Sequence, residues 1–446
     1  MNDTFKSDNA AVYADILKNT EFSVQNLKLE SPLPYSEDFS RLAVHKAIGG
    51  KNAANRICYQ PMEGQDAAED DSGDPTELTF RRYETLACGG PGILWLEAVS
   101  VLPEARSNRR QLMITKENLD KYKRLVDSAK EACLKNNGFE PYFVLQLNHS
   151  GRYSKPDGSP RPITAMKNPF FDKPGISYSI ASDEYLSGLP EIFAEKAALC
   201  EKAGFDAVDV KCCHGYLFSE MLSAYDRPGR YGGSFENRTR LVADTVGACR
   251  AALSNRTAVA CRLNIYDGYD SPYSFGTNRG DFEKYDLDEP EKLISLLVSR
   301  GLSLLNVTMG SPYVNPDVSR PYRPGVDKPK TNALYALSRL LNGAREIHKA
   351  FPDLAVVNTG VSGFCSKSAY AAAGMIAEDM TDFVGFGRMN FAYPSLARDI
   401  LANCYDEKKC CVACSGCSTL KKNGLLSGCI VRNPLYKKIY REFISK

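Results

Sequence analysis

The stretch EIFAEKAALCEKAG (191–204) followed by AVDVKCC (207–213) decides the fold. The first segment carries apolar residues at helical spacing and stops at a glycine. The second is a short apolar run without strict alternation, as expected of a strand buried on both faces. The same kind of run recurs at NRICYQPM (55–62), GILWLEAV (92–99), YFVLQL (142–147), TAVACRLN (257–264), LLNVTMG (304–310), AVVNTG (355–360) and FVGFGR (383–388). Helix-like segments lie between them, among them TELTFRRYETLACGG (76–90), KENLDKYKRLVDSAKEACLKNNG (116–138), ENRTRLVADTVGACRAAL (236–253), DEPEKLISLLVSRG (288–301), NALYALSRLLNGAREIHKAF (332–351) and SKSAYAAAG (366–374). Strand then helix, eight times, predicts an α/β fold of the (β/α)8 TIM-barrel type. A doubly wound open sheet is the rival, but it usually carries a G-x-G-x-x-G turn after its first strand, and this chain has none.

Residues 1–50 read as an N-terminal extension, 51–403 as the barrel and 404–446 as a cysteine-rich C-terminal segment. The chain has 446 residues with Lys+Arg 56 against Asp+Glu 54, a near balance that gives no case for nucleic acid or an anionic membrane surface. No apolar run approaches the ~20 residues that span a bilayer, and the N-terminus has no signal-peptide core. With 15 cysteines and no export signal, a reducing cytoplasm is the expected location. Six of those cysteines fall between Cys404 and Cys429, a density that suits a metal better than scattered core thiols.

Chemistry in such a barrel sits just after the strand C-termini. Those positions hold Gln60, Pro61, Met62 and Glu63; Glu97 and Ala98; Gln146 and His149; Lys211, His214 and Tyr216; Arg262; Gly360; and Gly387 with Arg388. Gly360, Gly387 and Arg388 fall where a phosphate site of these barrels usually lies, although glycines end many strands. Two connections, 148–183 and 265–287, are long, and the stretches 148–175 and 265–286 within them carry five Tyr and four Phe. They shape a site for a flat or apolar substrate, or they are simply packed by their aromatics.

Taken together these motifs resemble the old yellow enzyme family of flavin barrels. NRICYQPM, LQLNHSGR (145–152), AGFDAVDVKCCHGYLFSEMLSAYDRPGRYGGSFENRTR (203–240), ACRLN and DFVGFGR carry the likeness, which spans roughly residues 40–435. The resemblance implies FMN at the barrel mouth. Pro61, Met62, Glu63, Ala98, Gln146, Arg262, Gly360, Gly387 and Arg388 are the implied cofactor-binding residues. Gln146 would meet the pyrimidine edge of the flavin. Arg262 would sit beside the atoms where negative charge collects on reduction; its bland alternative is a salt bridge in the barrel floor. His214 matches one of two donors that hold the carbonyl of an activated alkene. Lys211 stands where the family commonly has His or Asn, and it either serves the substrate or turns away to a carboxylate. Tyr216 matches the proton donor. His149 either touches the flavin edge or orients its loop. Glu63 replaces a usual small residue, and a carboxylate there would oppose reduction unless protonated or turned aside.

Cys411, Cys414, Cys417 and Cys429 have intervals of two, two and eleven residues, which suits an iron–sulfur cluster or a structural zinc. The resemblance points to the branch of 2-enoate reductase, 2,4-dienoyl-CoA reductase and trimethylamine dehydrogenase, where a four-cysteine run holds a [4Fe–4S] cluster. That run normally has three residues between its second and third cysteines, against two here, so Cys410 is a candidate substitute. Those relatives continue into a FAD- and NAD(P)H-binding domain. This sequence runs only 17 residues past Cys429, so electrons are expected from NADH or NADPH at the FMN, or from a separate electron-transfer protein near the cluster.

The expected function is an FMN-dependent ene-reductase of an anaerobe, similar to gut-bacterial flavone and steroid ene-reductases. It would reduce the C=C bond of an α,β-unsaturated carbonyl compound (flavonoid, steroid enone or enoate), as monomer or homo-oligomer. The alternatives are amine oxidation with a protein electron acceptor, a phosphate-binding barrel lyase using Lys211 as a Schiff base, and a non-catalytic electron-carrying barrel.

Overall fold

The computed structural model describes residues 8–17, 24, 27–29, 31–270, 272–318 and 331–445. Twelve strands appear among them: β1 Lys46–Ile48, β2 Lys51–Ala53, β3 Ile57–Tyr59, β4 Ile93–Ser100, β5 Tyr142–Asn148, β6 Ile163–Thr164, β7 Ser179–Ile180, β8 Ala207–Val210, β9 Ala258–Asn264, β10 Leu302–Thr308, β11 Ala355–Asn358 and β12 Phe383–Phe386. Eight form a closed barrel in the order β3-β4-β5-β8-β9-β10-β11-β12, with every neighbouring pair parallel. These are the eight apolar runs of the sequence, so the barrel expectation holds.

The helices are α1 Asp8–Val12, α2 Glu77–Cys88, α3 Leu119–Asn137, α4 Asp183–Ala203, α5 Leu217–Leu222, α6 Phe235–Ala252, α7 Asp288–Ser299, α8 Ala333–Ala350, α9 Ser368–Ala377, α10 Arg388–Ala392, α11 Leu396–Leu401, α12 Gly416–Lys422 and α13 Pro434–Ile444. Thr76 caps α2 in a capping box with Thr79, and α3 and α4 both stop at a left-handed glycine, Gly138 and Gly204.

Each barrel strand feeds two cores. Outward side chains such as Leu96, Phe143, Leu145, Val208 and Leu263 pack against the helices. Inward ones, including Cys58, Trp95, Val144, Ala260, Leu304 and Val357, fill the lower barrel together with Ile48 and Ala53 of the antiparallel β1–β2 hairpin, which closes the floor. One irregularity sets up the site. The β4–β5 register slips between Leu96 and Ala98, leaving Glu97 as the extra residue of a β-bulge. Strict alternation from inward Trp95 would place Glu97 inside. The bulge instead sends its carboxylate out to Arg82 and to the Tyr83 hydroxyl, and Ala98 turns to the barrel mouth. No helix among the described residues is long and apolar enough to cross a membrane.

Candidate active site

Above the apolar layer the inward positions turn polar. Gln60, Gln146, Asp209, Arg262 and Asn306 occupy the next level of β3, β5, β8, β9 and β10 or their ends. Asp209 organises it. Its carboxylate accepts from Gln146 Nε2 at 2.6 Å, Trp95 Nε1 at 3.0 Å and the Arg262 backbone N–H at 2.7 Å. Burial pushes its pKa up to about 6 against these bonds. Asn306 donates to Gln60 Oε1 at 2.9 Å. Gly385 is required beside them, because a Cβ there would lie 2.2 Å from Gln60 Nε2.

A cavity of about 1210 Å³ opens over this floor. Every expected cofactor-binding residue lines it: Pro61, Met62, Glu63, Ala98, Gln146, Arg262, Gly360, Gly387 and Arg388. The buried polar atoms of the neighbourhood with no hydrogen-bond partner among the described residues include Arg262 Nε, Arg388 Nη1, Asn306 Oδ1, Gln65 Oε1 and Ser154 Oγ. Buried guanidinium donors are costly to leave unmatched, so the floor and the far wall are built for a polar, anionic guest. Among the described residues Arg262 is in no ion pair, and its Nε is unmatched. The Gly387 backbone N–H is taken by Ser362 Oγ at 3.1 Å, which also accepts from Met389 N, so Gly387 provides space and Arg388 the donor.

The catalytic candidates separate. His214 and Lys211 line the cavity; Tyr216 does not. His214 has a left-handed backbone, φ 65°, and burial, reinforced by Arg262, Lys211 and Lys421, holds its ring neutral, well below its usual pKa. Burial also lowers Lys211 to about 8 despite the nearby Glu63 carboxylate. The Lys211 ammonium lies 4.0 Å from the Tyr216 ring centroid. Tyr216 is 1% exposed, and its hydroxyl meets Tyr313 at 3.1 Å and donates to Glu63 Oε1 at 3.4 Å. Tyr313, stacked on Tyr153 at 3.8 Å, lines the cavity in front of it.

Glu63 stays in the site. Burial raises its pKa, but Lys421 and Lys211 outweigh this and keep the carboxyl ionised. His149 lies off the cavity wall. Its Nε2 meets Tyr185 at 2.8 Å and its Nδ1 accepts from Gly151 N, so it orients the loop after β5. Of the aromatics in the two long loops, Tyr153, Phe170, Phe171 and Tyr178 reach the cavity. Those of 265–287 buttress from behind, Tyr269 packing edge-on against Phe171 at 5.0 Å.

The sequence missed Lys421 and Tyr313, which nothing in STLKKNG or GSPYV marks. Asp209 was missed as well, although an acidic residue in the buried run AVDVKCC was the signal that could have found it.

The cysteine-rich tail forms one side of this cavity through Cys417, Ser418, Lys421 and Lys422. Cys411, Cys414 and Cys429 are all close enough to perturb the Cys417 thiol, which burial pushes up to about 11. No group of three or more His, Cys, Asp or Glu among the described residues has metal-site geometry, so the expected cluster has no formed cage. The donor chemistry nevertheless suits thiolate ligands: Ala413 N donates to Cys411 Sγ at 3.4 Å and Arg432 N to Cys429 Sγ at 3.3 Å. Cys410 is turned to the Tyr405 hydroxyl at 3.0 Å.

Comparison with known proteins places this geometry. The model of the NADH:flavin oxidoreductase / NADH oxidase family matches residues 47–291, more than half of the chain. An NADPH dehydrogenase of Clostridium acetobutylicum is 30% identical over 217 residues, covering 48% of this chain and 60% of that protein. An NADH oxidase of Thermoanaerobacter brockii is 26% identical over 391 residues, covering 85% of this chain and 54% of that protein. This chain thus matches under two thirds of the length of either. Among solved structures, a 2-naphthoyl-CoA reductase complex superposes with TM-score 0.73 at 19% identity, covering 90% of this chain and 58% of the other. The old yellow enzyme homologue of Zymomonas mobilis gives 0.60 at 20% identity, covering 81% and 92%. Shared barrel and matched sequence lead to one conclusion: the chain belongs to the NADH:flavin oxidoreductase / NADH oxidase family, the old yellow enzyme family.

Proposed function

We propose that this protein is an FMN-dependent ene-reductase that uses NADH or NADPH to saturate the C=C bond of an α,β-unsaturated carbonyl compound. The observation that carries the reading is one cavity holding both unmatched guanidinium donors, Arg262 Nε and Arg388 Nη1, and the His214–Lys211 pair. FMN would be held by Gln146 and Arg262 at its ring and by Gly360 and Arg388 at its phosphate, and it would supply hydride chemistry. His214, neutral, donates a hydrogen bond to the substrate oxygen, and Lys211 adds positive charge. Each donor aimed at the developing oxyanion is worth about 3 kcal/mol. Burial keeps Tyr216 protonated, its pKa well above the usual value, so it serves as an acid toward the α-carbon. Because Tyr313 covers its hydroxyl, Tyr313 either moves aside or passes the proton on when substrate binds.

Electrostatics separates this reading from amine oxidation. Arg109, Arg110, Arg152, Lys155, Lys173, Lys211, Lys421 and Lys422 line the cavity along with its two flavin-side arginines, against Glu63, Glu69 and Asp172. A cationic amine is disfavoured there, and an enoate or a phenolic flavonoid is drawn in. Cys411, Cys414, Cys417 and Cys429 would hold a [4Fe–4S] cluster, which would supply electron-transfer chemistry beside the barrel mouth and toward a separate electron-transfer protein.

The test is product analysis. Under nitrogen, with FMN and NADH, cinnamate, a steroid enone and a flavone are offered in turn. The reading expects at least one product gaining two hydrogens. No such product, with amines consumed instead, overturns it. Borohydride trapping of a substrate on Lys211 would favour the lyase.

A further inference from the structure

The tail grips the segment after β3 residue by residue. Lys421 Nζ pairs with Glu63 Oε2 at 3.1 Å, Ser427 N donates to the Gly64 carbonyl at 2.8 Å, and Gln65 Nε2 donates to the Lys421 carbonyl at 2.9 Å. Three consecutive barrel residues are thus each held by the tail.

Glu63 is 8% exposed, and its carboxylate divides its two oxygens. Oε2 faces Lys421 and Ser107, whose hydroxyl donates at 3.4 Å. Oε1 faces Tyr216 and, at the longer distance of 3.8 Å, Lys211 Nζ. A buried carboxylate between two ammonium groups is neutralised mainly by the nearer one. The farther one keeps its charge available to a third partner.

We propose that Lys421 is a positioning residue for the substrate-oxygen site: by neutralising Glu63 from the tail, it leaves the Lys211 ammonium to hold an anionic oxygen in the cavity. This rests on the ene-reductase reading only in assigning that oxygen to a substrate. Without Lys421 the buried carboxylate has Lys211 as its remaining cation. Lys211 is then engaged, and the net negative charge beside the oxygen site rises. Sequence alone gives Lys421 no role, because its partner lies at the opposite end of the chain.

The probe is p-nitrophenolate, an oxyanion whose binding to the FMN-loaded protein is read at equilibrium by its absorbance shift, without turnover. Lys421→Met is expected to weaken binding about tenfold, because the carboxylate left without its nearer cation then engages Lys211. Lys421→Arg is expected to bind like the wild type. Removing the carboxylate as well, in Glu63→Gln/Lys421→Met, is expected to restore affinity to within about twofold. Thermal melts of the four proteins report whether each folds. The proposal is overturned if Lys421→Met binds like the wild type, or if the double variant stays as weak as the single one. A wild type that binds phenolate yet reduces no alkene would instead count against the ene-reductase reading and leave this inference standing.

Discussion

Lys211 is the most unusual side chain of this site, and its environment gives it a pH signature. Burial brings it to about 8, so the ammonium is present below that value and is lost as pH rises through it. His214 is already neutral, so it adds no transition near its ordinary value. The kcat/KM of alkene reduction should therefore fall on the alkaline side of about 8, and Lys211→Met should lower the plateau and remove that limb. An alkaline limb that persists in Lys211→Met would assign it to another group. Lys211, His214 and Tyr216 were legible because they fall within one contiguous motif. That Tyr216 lies behind Tyr313 was not, because the two phenols meet only once the loop after β10 reaches the turn after β8.

At the scale of elements, the eight strands could be read from their apolar runs because barrel strands are buried on both faces. The same double burial hides which residue points inward. The bulge that turns Glu97 outward and Ala98 inward is invisible in GILWLEAV. The QLNHSGR motif now has a mechanical account. Arg152 binds Glu220 of α5 through Nε at 2.8 Å and also pairs with Asp172, tying the long loop to the helix that follows the His214–Tyr216 turn. Both side chains of the Arg152–Glu220 pair are nearly buried, at 5% and 8% exposure. Arg152→Met leaves Glu220 without its cation and should cost about 3–5 kcal/mol in urea unfolding. A loss under about 1 kcal/mol would show that the pair is dispensable to the fold.

For the whole molecule, the tail is a wall of the active site, and the sequence, which marked it only as a metal segment, did not show this docking. A bound [4Fe–4S] cluster predicts about four iron and four labile sulfide per chain in anaerobically purified protein. Serine at Cys414 should lower both. Protein with zinc or no metal would remove the cluster while leaving the barrel chemistry intact. The central claim is that the barrel mouth carries a flavin that NAD(P)H reduces and an activated alkene reoxidises. Anaerobic stopped flow tests it most directly. Flavin absorbance should bleach on mixing with NADH or NADPH and recover on mixing with an enone or enoate, while Tyr216→Phe bleaches normally and recovers at least about tenfold more slowly. A protein that holds no flavin, or whose bleached flavin is indifferent to every alkene offered, would contradict the account.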